Sequence, residues 1–204
     1  FEGYMHPRGL AFAVGLAALA FVLRRRWLAG TVLIVVAGVV HPTTAVWFAA
    51  AAATMAVVSS VHRTRIVIGL AAVAAIAILV GHRLIAGRLV VMDPAWLAVF
   101  ADRDYLFAAQ WPLYAWITNL LYPVVIIVIA RCRRRAGVTV PGEGALVAAM
   151  IVLTALFLAS VPFTEARLAL AVQMQVNRVF WLLDAVATFY LAWWIVGHLA
   201  ARWP

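Results

Sequence analysis

Seven apolar runs, punctuated by arginine, histidine and proline, constrain this chain more than any other feature. They extend from about Gly9 to Leu23, Trp27 to Val40, Pro42 to Ser60, Ile66 to Val80, Leu113 to Ala130, Ala145 to Val161 and Val179 to Leu199. A helix needs roughly 20 apolar residues to cross a bilayer core, and fewer where arginines and aromatics snorkel at its ends. The first two runs are short on that scale. They cross if Arg8 and the triplet Arg24, Arg25, Arg26 extend the helix ends, or if the pair tilts as a hairpin inside a bundle. Of the 204 residues 68% are hydrophobic and 11% charged, whereas a soluble domain is about half apolar and a quarter charged. A soluble enzyme is thereby excluded. The expected fold is all-α, a single polytopic transmembrane bundle over residues 1–204 with about seven spans and short interfacial helices in two external loops. No basic segment precedes the first apolar run, so no signal peptide is expected, and the chain reads as the later portion of a longer one.

The formal charge is +9, and all 16 basic residues are arginine. In a soluble protein such a balance points to nucleic acid. Here strict alternation of the spans gathers Arg24, Arg25, Arg26, Arg63, Arg65, Arg131, Arg133, Arg134, Arg135 and Arg202 on one side with a single acid, Glu143. The other side carries six arginines and six acids. By the positive-inside rule the arginine-rich side is cytoplasmic, with the N-terminus of this segment outside and its C-terminus inside, in the plasma (inner) membrane. The charge is an orientation signal, and membrane lipids rather than nucleic acid are the expected partners.

Small residues mark expected helix contacts at Ala11 and Gly15, Ala49 to Ala53, and Ala71 to Ala77. The two longer external segments hold most of the chemistry. Asp93-Pro94 is a helix start, with Trp96, Leu97 and Phe100 on one face of a short interfacial helix and Asp102-Arg103-Asp104 closing it. In the second segment, Pro162 to Arg178, Thr164 is a candidate cap with Glu165 in the first turn. The alternation of Leu168, Leu170, Val172, Met174 and Val176 reads as a strand in water, but an unpaired strand at a membrane is costly, so helix is expected. Gln175 and Arg178 could hold a headgroup phosphate, or Arg178 could simply snorkel.

His6-Pro7-Arg8 and His41-Pro42-Thr43-Thr44 both fall on the external side and could converge, the histidines serving as caps or as acid, base or phosphate ligand. Asp184 is the one acid inside a span and could pair with Arg178 or Arg167. Cys132 stands alone among arginines. No Cys or His pair has metal-ligand spacing, and no cofactor is evident. No chain of ionisable residues crosses the membrane and no broken helices occupy matching positions of two halves, which disfavours an ion-coupled transporter.

The segments MHPRGLAFAVGLAALAFVLRRR, HPTTAVWF and MDPAWLAVFADRDYLFAAQWP resemble those of bacterial multi-pass proteins with the architecture of family C glycosyltransferases. The resemblance covers most of the chain on loosely defined motifs. It implies transfer of a sugar from a polyprenyl-phosphate carrier at the external face, with an acidic base or metal partner in a first external loop upstream of Phe1. A divalent metal would enter only through acidic ligands in that loop. On this reading Arg8, Arg103 and Arg178 bind phosphate with His6 and Gln175 beside them, while Asp102, Asp104 and His41 are the candidate catalytic residues. The alternative is a non-catalytic membrane scaffold or a component of lipid or polymer transport.

Overall fold

The computed structural model describes residues 6–100 and 103–200. Among the described residues nine α-helices follow one another: α1 (Pro7–Leu23), α2 (Trp27–Val40), α3 (Pro42–Ser59), α4 (Arg63–Ala86), α5 (Pro94–Ala98), α6 (Leu113–Arg135), α7 (Glu143–Glu165), α8 (Ala169–Met174) and α9 (Val179–Ala200). Five described segments are long and apolar enough to cross a membrane: Pro42–Ser59, Arg63–Arg83, Leu113–Arg135, Glu143–Glu165 and Ala169–Gly197. The protein is a multi-pass integral membrane protein with an all-helical bundle fold. The remaining two expected spans, α1 and α2, have 17 and 14 residues, about 26 and 21 Å at 1.5 Å per residue.

Those short helices nevertheless run from end to end. Arg8, at the start of α1, lies against Trp181 near the start of α9. Leu23, at the other end of α1, meets Gly142, the residue before α7. Arg133 and Glu143, at the end of α6 and the start of α7, pair beside Trp193 of α9. Arg88, beyond α4, donates to Gln173. One end of the bundle therefore gathers the arginine-rich turns, and the other gathers the His-Pro turns and both long loops.

Close backbone approach fastens the hairpin onto the bundle. A methyl group at Gly15 would overlap the ring of Phe48 on α3, and one at Gly30 would lie 2.6 Å from Val22 Cγ2. Ala11, Ala37 and Ala45 join α1, α2 and α3 in one buried cluster. The Ala11–Gly15 expectation thus holds. The Ala71–Ala77 expectation does not, because α4 packs mainly on α3 and leaves that stretch exposed. The main core joins Phe48, Met55, Ile126, Met150, Leu153, Phe157, Leu183 and Tyr190 from α3, α6, α7 and α9.

The segment after Val161 departs from expectation. Pro162 does not end α7, and Thr164 is not a cap but part of the last turn. Proline removes one backbone donor, yet Ser160 and Thr164 donate their hydroxyls to the Phe157 and Val161 carbonyls, at 2.7 and 2.8 Å, and stabilise the turns around it. The chain then reverses at Arg167 (φ 58°). Leu168 forms an antiparallel bridge with Val91. Met92 N–H donates to the Arg167 carbonyl, Ala169 N–H to Val90 and Leu170 N–H to Arg88, each at 2.9 Å. The alternating pattern at Leu168 therefore finds a backbone partner, and the expected single helix becomes the six-residue α8 followed by a 3₁₀ turn at Val176–Arg178.

The Asp93-Pro94 start is realised. The Asp93 side chain accepts from Trp96 N–H at 2.7 Å, and Leu97 and Phe100 pack on Met92, Leu106, Phe107, Ala169 and Val172. Both long loops thus share one small core.

Candidate functional site

The site at the loop-rich end grows from two helix starts of the same design. Proline at the first helical position fixes φ and lacks the N–H that would go unpaired there. The preceding histidine then supplies an acceptor. His6 Nδ1 accepts from Arg8 N–H, and His41 Nδ1 from Thr44 N–H, both at 3.3 Å. The Thr44 and Thr43 hydroxyls lie 2.9 and 3.2 Å from His41 Nδ1. A ring nitrogen that accepts a backbone N–H carries no proton, so this geometry fits the neutral Nε2–H tautomer of His41, whose single Nδ1 lone pair the nearer Thr44 hydroxyl can share. Burial holds its pKa below the ordinary imidazole value, and the charges of Arg178, His6 and Arg8 reinforce the shift.

Arg178 enters from the opposite side. Gln175, in left-handed backbone geometry (φ 48°), turns the chain so that the 3₁₀ turn delivers Arg178 at the head of α9. Its guanidinium donates to the Thr43 hydroxyl at 3.3 Å and lies 5.6 Å from the centre of the Trp181 ring. Arg8 lies 5.8 Å from the same ring, both within reach of cation–π attraction. Two guanidinium groups therefore converge on one indole, with His41 joined to Arg178 through Thr43. Among the described residues the one carboxylate ion pair is Arg133 with Glu143, at the other end of the bundle. Among the described residues no carboxylate pairs with Arg8 or Arg178, and two guanidinium groups at one place fit a phosphate.

Two cavities flank the cluster. One, of about 500 Å³, is lined by Tyr105, Trp111, Tyr114, Trp181, Asn119 and Asn177 among others. The second, of about 320 Å³, holds Thr43, Arg88, Gln173 and Gln175, and the buried Gln175 Oε1 has no hydrogen-bond partner there. Arg178 spans the two through its contacts with Thr43 and Trp181. No known family, curated protein or solved structure matches this chain.

Of the residues singled out from sequence, His6, Arg8, His41 and Arg178 come together, and Gln175 lines the neighbouring cavity. Arg103 lies instead over the Phe100 ring at 5.8 Å. Asp102 and the side chain of Asp104 lie outside the described residues. Asp184 is exposed and, among the described residues, pairs with neither Arg167 nor Arg178. Glu165 accepts from Ala109 N–H at 3.1 Å, tying the second loop to the first. Sequence reasoning missed Trp181 as the shared platform. The legible signal was its position three residues after Arg178, which puts the two on one helical face.

Proposed function

We propose that the loop-rich end binds the phosphate of a lipid carrier at the external face and presents the attached sugar for transfer. The convergence of Arg8 and Arg178 on Trp181, with His41 beside Arg178, carries this reading. Two fixed guanidinium groups answer a phosphate at the membrane surface. The aromatic and amide lining of the adjacent cavity suits a sugar ring, with its apolar C–H faces and hydroxyl rim. By the positive-inside rule the arginine-rich end then faces the cytoplasm.

Incubating the purified full-length protein with a polyprenyl-phosphate sugar and following release of the polyprenyl phosphate tests transfer. Turnover that falls at least tenfold in Arg178→Ala is expected. No turnover, together with donor binding unchanged in Arg178→Ala, would overturn the assignment. A second reading, binding without chemistry as a scaffold or lipid-transport component, is favoured because no carboxylate pairs with Arg8 or Arg178 among the described residues. It predicts donor binding that depends on Arg178, with no sugar released.

A further inference from the structure

We infer that a separate lipid site lies at the arginine-rich end, where the groove between α6 and α7 takes the headgroup of an acidic glycerophospholipid. A cavity of about 410 Å³ opens there. From α6 it is lined by Ile127, Ala130, Arg131 and Arg134, spaced i, i+3, i+4 and i+7 on a single helical face. From α7 come Glu143, Gly144, Val147 and Ile151, again on one face. The groove is therefore amphipathic along its length. Two guanidinium groups mark its polar mouth, and Ile127, Val147 and Ile151 form an apolar wall one to two turns deeper into the bundle.

The charge of Glu143 does not neutralise those arginines. Its Oε1 accepts from Arg133 Nε at 2.9 Å and its Oε2 from Val140 N–H at 3.0 Å. Arg133 is itself turned to the other face of α6, over the Trp193 ring at 3.9 Å. Arg131 and Arg134 are exposed and form no ion pair among the described residues. The mouth thus keeps a charge of about +2, while Gly144 leaves the α7 wall open, with nothing within 4 Å of where a Cβ would stand. A free anion would use the arginines and leave the apolar half wet. A zwitterionic lipid would fill the apolar half but bring no net charge to the mouth. An acidic phospholipid satisfies both, as basic pockets between transmembrane helices do elsewhere.

The test is retention of phosphatidylglycerol against phosphatidylcholine of matched acyl chains by the delipidated full chain, read by native mass spectrometry. At about a factor of five per basic residue near a membrane surface, the preference for phosphatidylglycerol should fall roughly 30-fold in Arg131→Gln/Arg134→Gln. It should persist in Arg24→Gln/Arg25→Gln, which removes the same charge from the same end outside the groove. Ile151→Trp should lower retention while keeping every charge, and it decides the matter if the double arginine variant loses its helical circular dichroism. Equal retention of the two lipids by the unaltered chain would overturn the proposal. So would an equal loss in the two double-arginine variants, or retention unchanged in Ile151→Trp.

Discussion

Replacing Glu143 by glutamine should destabilise the bundle far more than a single neutral exchange at the end of a helix would suggest. Glu143 is 4% exposed and the Arg133 side chain 11%. Each carboxylate oxygen has a donor, Arg133 Nε at 2.9 Å and Val140 N–H at 3.0 Å, and the buried Tyr190 hydroxyl lies beside the group. Arg133 also donates to the Val138 carbonyl at 2.8 Å. Glutamine keeps one acceptor but removes the countercharge, leaving a mostly buried guanidinium against an indole ring. Removing one partner of a buried pair costs about 3–5 kcal/mol, and the retained acceptor places Glu143→Gln near 3 kcal/mol. Arg133→Met strands the carboxylate instead and should cost a similar amount. The double variant strands no charge, so it should cost only about 1–2 kcal/mol, well short of the sum of the two single losses. Reversible unfolding in mixed micelles, followed by circular dichroism, measures all three. A Glu143→Gln variant within about 0.5 kcal/mol of the unaltered protein, or single losses that add in the double variant, would refute the reasoning.

Other consequences can be measured separately. Gly15→Val forces a side chain into the Phe48 ring and should cost at least about 1–3 kcal/mol of stability, read by the same unfolding assay. Neutral His41 caps α3 and its pKa is depressed in the fold, so its contribution is fully present above the ordinary imidazole value and is lost as pH falls through the lower folded value. A thermal-stability titration should therefore show a loss of stability on acidification, absent in His41→Asn, which caps at any pH. Cys132 is exposed near the end of α6. A membrane-impermeant maleimide should label it in inside-out vesicles and not in intact cells, and the reverse pattern would invert the proposed orientation.

What the sequence made legible was local. Arg24 to Arg26 bound a helix, and His6-Pro7, His41-Pro42 and Asp93-Pro94 start helices through contacts within three residues of the cap. What it concealed was pairing across distance. The alternation around Leu168 has meaning only beside residues 88–92, which lie some 80 positions earlier. Pro162 reads as a break, yet packing of α7 against α3, α6 and α9 carries the helix past it. Small residues likewise do not declare their partners: Ala11 is buried between helices and Ala71 is exposed. At the site, the histidine and arginine positions were visible, but the indole that gathers the arginines belongs to the fold.

The central claim is that Arg8 and Arg178 form a phosphate site at the loop-rich end. Equilibrium binding of a polyprenyl phosphate and of the uncharged polyprenol, in nanodiscs of neutral lipid, tests it most directly. Charge-assisted contacts of about 1.5–3 kcal/mol each predict at least a tenfold preference for the phosphate, abolished in Arg8→Gln/Arg178→Gln with polyprenol binding unchanged. Equal affinity for the two lipids, or a preference that survives the double substitution, would contradict it.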